Sequence, residues 1–234
     1  MLIVGLTGGI ACGKSTVSKR LEEHHKLPIV DADKIAREIV QPGKPSYNKI
    51  VTYFGQKIPN LVNDDNTLNR QALGGYVFAN KDELRVLNSF THPEVRKQMV
   101  WNVIKAWLSF EKMVILDVPL LFESKLDVYC AVSVCVVCDE DVQLQRLMNR
   151  NPELSEEECR NRIASQMGNS EKIKKSDIVV DNGSSLEELY SKIDGVVTRI
   201  TPWTIVSMFE ILFPPIGLIS ALFCYLKNRM KHNK

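Results

Sequence analysis

Short apolar runs recur along the chain, and stretches with helical patterning separate them. The first run, LIVGL at Leu2–Leu6, is rich in β-branched residues and carries no charge. Four more follow, at Leu27–Ala32, Lys112–Val118, Ala131–Val137 and Ser176–Asn182. Runs this short and apolar are typical of strands buried on both faces, and such strands alternating with helices form parallel sheets. The pattern predicts an α/β fold with a five-stranded parallel sheet and helices on both faces.

The segment GLTGGIACGKST, which begins at Gly5, carries a specific motif. The spacing G-x-x-x-x-G-K-[ST] is met from Gly8 to Ser15, between the first apolar run and the helical stretch STVSKRLEEH. Glycines let the backbone curl so that its N–H groups and the helix N-terminus meet phosphate oxygens. Lys14 can reach the β- and γ-phosphates, and the Ser15 hydroxyl can ligate Mg²⁺. The motif predicts a phosphate-binding loop (P-loop) of the NTPase type.

Missing motifs exclude several classes of P-loop protein. A guanine-specific protein should carry Asn-Lys-x-Asp after a late strand, and the nearest string, ANKDEL at Ala79–Leu84, lacks the final Asp. No Asp-x-x-Gly follows an early strand. A net charge of +2 argues against nucleic acid as a partner bound by bulk charge. A small-molecule kinase fits better, and it requires an acceptor pocket and a mobile lid with arginines.

Carboxylates stand at the ends of two predicted strands. Asp31 and Asp33, in VDADKIAREIV, lie where the second strand ends and a helix begins, a position that faces the ligand crevice of such sheets. One of them could orient or deprotonate an acceptor hydroxyl, and Asp33 is favoured over Asp31. A helix N-cap is the alternative role. Asp117 ends the run KMVILDV and resembles a Walker-B carboxylate near Mg²⁺ or its waters.

The stretch from Cys138 to Gln166 is the candidate lid. Two helical pieces flank the break NPEL, and Ser155 with Glu158 makes a capping box for the second piece. The two pieces carry four arginines, at Arg146, Arg150, Arg160 and Arg162. The first two are four residues apart and share a helix face, which suits a clamp on a triphosphate. A solvated face of exposed charges is the alternative.

Six motifs in a fixed order carry a family resemblance: TGGI-x-x-GKST, VDADKIAR, LNRQAL, THPEVR, DVPLLFE and DIVVDNGSSLEEL. Over about residues 1–200 they resemble the dephospho-CoA kinase family, and the whole chain resembles its eukaryotic single-domain form. The resemblance implies ATP-dependent phosphorylation of the ribose 3′-hydroxyl of dephospho-CoA, the last step of CoA biosynthesis, with CoA and ADP as products. Another small-molecule kinase and a weakly catalytic nucleotide-binding scaffold are the alternative hypotheses.

The resemblance also implies an organisation and an ATP site. A kinase domain would cover residues 1–200, with an acceptor-binding helical insertion at about 42–110 and a lid at about 146–167. Arg146 and Arg150 of the lid and Asn182 beside the adenine would bind ATP together with the loop residues Gly8, Gly9, Ile10, Ala11, Cys12, Gly13, Lys14, Ser15 and Thr16. Mg²⁺ would be held by Ser15 and, directly or through water, by Asp117.

The acceptor side is implied by the same motifs. Asp33 would be the general base or hydroxyl-orienting group and, with Lys14 and Arg146, would form the catalytic set. Residues lining the acceptor would be Asp33, Arg37, Arg70, His92 and Asp117. His92 precedes Pro93, so satisfying a buried turn is its alternative role.

The six cysteines are unevenly spread and are expected to be reduced thiols. Cys12 stands with Ala11 where the family loop commonly has Gly-Ser. At a helix N-terminus its thiol should have a lowered pKa, so alkylation should block ATP binding and ATP should protect it. The C-x-x-C spacing of Cys135 and Cys138 predicts no metal or redox site, because residues i and i+3 of a strand face opposite ways.

The C-terminal tail, residues 201–234, has no place in the kinase domain. Trp203–Leu226 is mostly apolar, Glu210 is its only charged residue, and the basic string KNRMKHNK follows. The pair Pro214-Pro215 favours an interfacial hairpin over a spanning helix, with Lys227, Arg229 and Lys231 near anionic headgroups. A helix packed on the domain or on a partner is the alternative. We therefore expect contact with a membrane through residues 203–231, on the cytoplasmic face of the endoplasmic reticulum, the mitochondrial outer membrane or lipid droplets, and other CoA-biosynthesis enzymes are candidate partners.

Overall fold

The structure, a computed structural model, describes residues 1–203 and 214–232. Five strands form one sheet: β1 (Leu2–Gly8), β2 (Ile29–Asp31), β3 (Met113–Asp117), β4 (Val132–Val137) and β5 (Ile178–Asp181). Their order across the sheet is β2-β3-β1-β4-β5. β1 is parallel to both of its neighbours, and β4 is parallel to β5. Each predicted apolar run contains one strand, so the predicted fold class is confirmed.

The helices connect these strands in the alternating order that the pattern predicts. They are α1 (Lys14–Glu23), α2 (Ala32–Glu38), α3 (Pro45–Phe54), α4 (Arg70–Phe78), α5 (Lys81–Leu108), α6 (Glu140–Arg150), α7 (Glu156–Ala164), α8 (Asn169–Lys175), α9 (Leu186–Ile200) and α10 (Pro214–His232). A short 3₁₀ helix, Leu126–Tyr129, precedes β4.

The main core lies between the sheet and helices α1 and α9. Val4 and Leu6 of β1 are buried there in one cluster with Val17 of α1 and Leu189 and Ile193 of α9. Helix α8 lies against β4. The central strands have apolar residues at consecutive positions because the side chains on both faces of the sheet are buried.

The chain divides into two compact units. The first consists of Met1–Val30 with Lys105–Lys234, and the second is Asp31–Ile104. The second has an apolar core of its own, which includes Ile50, Phe54 and Leu73. The helical insertion expected at about 42–110 falls largely within the second unit, and its exact bounds stay a prediction.

The THP motif lies inside helix α5 and not in a turn. Pro93 is an interior residue of this 28-residue helix, and His92 is exposed. The alternative role of His92, satisfying a buried turn, is therefore wrong. A turn was a reasonable alternative because proline lacks the N–H that an interior helical residue normally donates. In α5 the helix continues on both sides of Pro93, so the loss of this one hydrogen bond does not end it.

Helix α10, in the tail, packs on the segment before β4. The Tyr225 ring stacks on Tyr129 with centroids 5.6 Å apart, and Asn228 Nδ2 donates to the Cys130 carbonyl at 2.8 Å. Packing on the domain was the alternative to the hairpin. The first arm of that hairpin, residues 204–213, lies outside the described residues. No helix within the described ranges has the length and apolar character needed to cross a membrane.

Candidate active site

The phosphate loop joins β1 to α1, and its shape depends on a left-handed turn. Gly13 has φ +91° and Ala11 has φ +60°. A Cβ on Gly13 would lie 2.1 Å from Nδ2 of Asn182, so this position accepts only glycine. The Cys12 N–H closes a turn on the Gly9 carbonyl at 3.1 Å. The loop therefore has the compact curl that a phosphate cradle requires.

Helix α1 presents its N-terminus to this loop. Among the described residues no side chain caps the helix at Gly13, and its first turn contains no acidic residue. The first N–H groups of a helix have no intrahelical partner, and the helix dipole places partial positive charge there. An uncapped end without a nearby carboxylate is suited to an anion such as a phosphate group.

Lys14 and Asp117, both predicted from the sequence, are brought together. The ammonium of Lys14 forms an ion pair with the carboxylate of Asp117. Asp117 ends β3 next to Leu6 of β1, and only 3% of its surface is exposed. The parallel strands β1 and β3 are neighbours and end at the same edge of the sheet. The loop after β1 therefore brings Lys14 to Asp117, although the two are 103 residues apart in the chain.

Asn182, which follows β5, closes one side of the loop. Its Nδ2 donates to the Cys12 carbonyl at 2.9 Å, and its own carbonyl accepts from Arg146 Nη1 at 3.1 Å. Gly13, Thr16, Arg146 and Asn182 line an open cavity of about 280 Å³ that continues to Leu186 and Leu189. The cavity adjoins the phosphate loop and combines apolar walls with amide and guanidinium groups, as a nucleotide base requires.

The predicted lid corresponds to helices α6 and α7. The capping box is confirmed: Ser155 accepts from the Glu158 N–H, and Glu158 accepts from the Ser155 N–H. Leu144, Leu147 and Cys159 hold the two helices together. The four arginines differ in their surroundings, since Arg146 bonds to Asn182 and Arg160 pairs with Glu156 at 2.7 Å, whereas Arg150 and Arg162 are exposed.

The thiol of Cys12 is buried beside that of Cys138. The Cys138 thiol donates to it and lowers the pKa of Cys12 to about 7, while burial opposes the shift. The same contact, together with burial, raises the pKa of Cys138. The expected direction for Cys12 is confirmed, and the main cause is the neighbouring thiol. Burial raises the pKa of Cys135 to about 11, so the two thiols of the C-x-x-C sequence meet different surroundings.

The remaining predicted residues lie in the second unit. Asp31 caps α2, because its carboxylate accepts from the Lys34 N–H at 2.9 Å. Asp33 and Arg37 are four residues apart on α2, so they share a face of that helix. Arg70 Nη2 donates to the Arg37 carbonyl at 3.3 Å. The side chains of the expected acceptor residues in this unit are exposed: Asp33, Arg37, Arg70 and His92.

The sequence model of the CoaE family, described as dephospho-CoA kinase, matches residues 2–188. The chain belongs to the dephospho-CoA kinase family. Dephospho-CoA kinase CAB5 of Saccharomyces cerevisiae is 53% identical to it over 221 residues, which are 94% of this chain and 91% of the relative. A dephospho-CoA kinase of Halalkalibacterium halodurans is 44% identical over 198 residues, 85% of this chain and 96% of the relative.

Solved structures agree with this assignment. Dephospho-CoA kinase from Campylobacter jejuni superposes with a TM-score of 0.65 at 29% identity, over 85% of this chain and 96% of that one. The crystal structure of TT1252 from Thermus thermophilus superposes with a TM-score of 0.69 at 30% identity, over 86% and 98% of the two chains. This dephospho-CoA kinase phosphorylates dephospho-CoA in CoA biosynthesis.

Lys172 contacts the segment that follows Asp117, and sequence analysis did not identify it. The Lys172 ammonium of α8 is fully buried and donates to the Pro119 carbonyl at 3.1 Å and to Glu123 at 3.2 Å. Glu123 accepts in turn from the Met167 N–H at 3.1 Å, at the end of the predicted lid. The contacts fix the chain directly after Asp117, and no local pattern in the sequence of α8 marks this lysine as buried.

Proposed function

We propose that this dephospho-CoA kinase transfers the γ-phosphoryl group of ATP to the ribose 3′-hydroxyl of dephospho-CoA, with CoA and ADP as products. The observation that carries the proposal is the phosphate loop with its uncapped helix end, next to the cavity lined by Gly13, Arg146 and Asn182. The loop suits a polyphosphate and the cavity suits its base. The family resemblance gives the regiochemistry.

The roles of the loop residues follow from charge. In phosphoryl transfer the protein mainly positions the reactants and neutralises charge on the equatorial oxygens. Lys14 would turn from Asp117 to the phosphates, and Arg146 lies at the base of the lid, where it can reach the same group. Arg150, exposed one turn further along α6, would reach the phosphates as the lid closes.

The acceptor roles rest on the family motifs. Asp33 would orient the 3′-hydroxyl or accept its proton, since Asp31 is engaged as the helix cap and Asp33 is exposed in the first turn of α2. Arg37, Arg70 and His92 would contact dephospho-CoA, whose phosphates suit guanidinium groups.

Mg²⁺ fits the oxygen donors at the loop. The Ser15 hydroxyl, exposed in the first turn of α1, and the Asp117 carboxylate are the hard ligands that this ion prefers. Ser15 would hold the ion directly and Asp117 directly or through water. When bound, Mg²⁺ neutralises charge on the β- and γ-phosphate oxygens.

The test measures ADP release with ATP and Mg²⁺, with and without dephospho-CoA, and locates the new phosphate by ³¹P NMR. We expect ADP release that depends on dephospho-CoA and a 3′-phosphomonoester in the product. The matched acceptors are 2′-deoxy and 3′-deoxy dephospho-CoA, of which only the first should be phosphorylated. Absence of acceptor-dependent ADP release would refute the proposal, and phosphate on the 2′-oxygen would refute its regiochemistry.

We also propose that α10 binds the surface of an anionic membrane on its cytoplasmic face, such as the endoplasmic reticulum, the mitochondrial outer membrane or lipid droplets. Ile219, Leu222, Phe223, Leu226 and Met230 are exposed at helical spacing and make one apolar stripe, opposite the face of Asn228 that packs on the domain. Lys227 and Arg229 flank the stripe. An apolar stripe with basic flanks is typical of interfacial helices.

Flotation with phosphatidylserine vesicles tests this localisation. Phe223→Ser should reduce binding strongly, because the side chain is 71% exposed within the stripe. Phe78→Ser is the matched control, since that ring is 78% exposed but lies on α4. Equal binding of the parent and both variants, or recovery of the parent with a CoA-biosynthesis enzyme and not with vesicles, would contradict the proposal.

A further inference from the structure

The backbone of Ile10, inside the phosphate loop, is held by two glutamines at the two ends of the lid. Gln143 Nε2, in α6, donates to the Ile10 carbonyl at 2.8 Å. The Ile10 N–H donates to Gln166 Oε1, just after α7, at 3.0 Å. Lid and loop are therefore connected by two hydrogen bonds between residues more than 130 positions apart.

Gln143 has only one possible orientation. Its side chain is buried, with 3% of the residue exposed, and its Oε1 accepts from Asn169 Nδ2 at 3.2 Å. Asn169 Nδ2 also donates to the Cys138 carbonyl at 3.2 Å, which fixes its own direction. Reversing the Gln143 amide would set an oxygen against the Ile10 carbonyl and leave two buried acceptors facing each other.

This orientation fixes the next peptide unit. A trans peptide is planar, so the Ile10 carbonyl and the Ala11 N–H point in opposite directions. With the carbonyl held by Gln143, the Ala11 N–H is directed away from the base of the lid. Ala11 has φ +60°, a conformation that a non-glycine residue keeps only where its surroundings hold it. The Gln143 bond supplies part of that hold.

We propose that Gln143 is a positioning residue for the nucleotide phosphates, which acts by presenting the Ala11 N–H to them. The inference rests on the proposed binding of ATP to this loop. Because the Ile10 N–H is already bonded to Gln166, the Ala11 N–H is the donor that the Ile10–Ala11 region offers. If this peptide flipped, a carbonyl oxygen would face the anion, which would repel it. Gln166 keeps the preceding peptide in place.

Two variants and a matched control test the role of Gln143. Gln143→Glu replaces the donor by an acceptor of the same shape, and Gln143→Met removes the donor without adding charge. Gln145→Glu adds the same charge two residues away on the exposed side of α6. We expect the Kd for ADP to rise about tenfold in Gln143→Met, the value of one lost hydrogen bond, and further in Gln143→Glu. Gln145→Glu should bind ADP like the parent.

The effect on turnover separates positioning from stability. The KM for ATP should rise in both Gln143 variants. At any temperature below the Tm of both variants, Gln143→Glu should bind ADP more weakly than Gln143→Met. A structural role alone would lower the Tm and leave the Kd for ADP unchanged, and that result would overturn the inference.

A measurement on the unmodified protein does not depend on how the variants fold. The ¹⁵N–¹H resonance of Ala11 should move downfield on ADP addition, because its N–H gains a phosphate acceptor, while that of Ile10 should move much less. An Ala11 amide that ADP does not shift would refute the role of Gln143. A parent protein that binds no ADP would instead refute the proposed function.

Discussion

Asp31 and Asp33 show how two carboxylates that are nearly adjacent in sequence differ in role. The sequence favoured Asp33 for catalysis but left capping open for both residues, because both follow a strand and precede a helix. The structure gives the capping role to Asp31, whose carboxylate accepts from the Lys34 N–H. Asp33 is the second residue of α2, in its first turn, and is exposed. The register of α2 made this distinction, and register is set by where the helix begins.

The Asp33→Asn variant is expected to lose turnover by about 10²–10⁴-fold, the usual contribution of a general base. Its Kd for ATP should stay near that of the parent, because the phosphate loop is unchanged. Asp31→Asn is the matched control, since asparagine caps a helix as well as aspartate does. Steady-state kinetics and ATP titration check both variants. Near-normal turnover of Asp33→Asn would count against its role.

Cys12 is expected to react with iodoacetamide in a pH-dependent way, with half-maximal rate near pH 7, because its pKa is lowered to about 7. The rate should be slow in absolute terms, since the thiol is buried. Bound ATP should protect it, and complete alkylation should abolish ATP binding. Mass spectrometry of the Cys12 peptide measures the rate.

The matched variant for Cys12 is Cys138→Ala, which removes the thiol that donates to it. The pH at half-maximal rate should then rise, because the largest cause of the lowered pKa is lost. An unchanged pH profile in this variant would show that another group lowers the pKa of Cys12. Full activity after complete alkylation would contradict the placement of Cys12 in the ATP site.

Helices α1 and α9 are joined by an ion pair between Arg20 and Asp194. Asp194 of α9 accepts from Arg20 Nε and Nη2 at 3.2 and 2.8 Å and contacts His25 Nε2 at 2.7 Å. The Arg20 guanidinium lowers the pKa of Asp194 to about 2, with His25 adding to the shift. A carboxyl group whose pKa is lower in the folded state stabilises that state above its unfolded pKa.

Asp194→Asn should therefore be less stable than the parent at neutral pH and should approach it in acid. The difference in Tm should be constant above about pH 5, decline through pH 4, and be mostly lost near pH 2, where Asp194 is half protonated in the folded state and fully protonated in the unfolded state. The pair is partly exposed, so salt should reduce the difference. Thermal unfolding across pH 2–7 measures it. A difference that grows in acid would have the wrong sign for this account.

Elements that were predicted from a local sequence pattern are found in the structure at the predicted positions. The capping box of α7 involves only Ser155 and Glu158, so four residues of sequence specify it. The five strands follow from apolar runs for the same reason. The THP motif was less informative, because proline is uncommon inside a helix and a continuous helix through Pro93 depends on the residues on both sides.

At the scale of the whole molecule, the tail adds helix α10 to the part of the chain that carries the predicted site residues. The H. halodurans relative is matched over 96% of its own length by 198 residues of this chain. Residues predicted to bind ATP and acceptor all precede residue 200. We therefore expect α10 to stabilise the kinase and, as proposed above, to localise it.

Removal of residues 204–234 should leave kcat close to that of the full chain. The Tm should fall, because the Tyr225 stacking and the Asn228 bond to Cys130 are lost, each worth about 1 kcal/mol. The same truncation should abolish vesicle flotation. Asn228→Ala in the full chain is the control, since it should lower the Tm without affecting flotation. A large loss of kcat on truncation would place α10 in the catalytic unit.

Patterns read within a few dozen residues were enough to predict the sheet, the phosphate loop, the capping box of α7 and the family to which the chain belongs. Each depends on backbone preferences and on side-chain spacing along one element, and both are written locally. The contacts that adjust the site join distant parts of the chain: Gln143 with Ile10, Lys172 with Pro119, and the thiols of Cys12 and Cys138. Such partners are selected by packing, because a buried polar group bonds to whatever the fold places beside it.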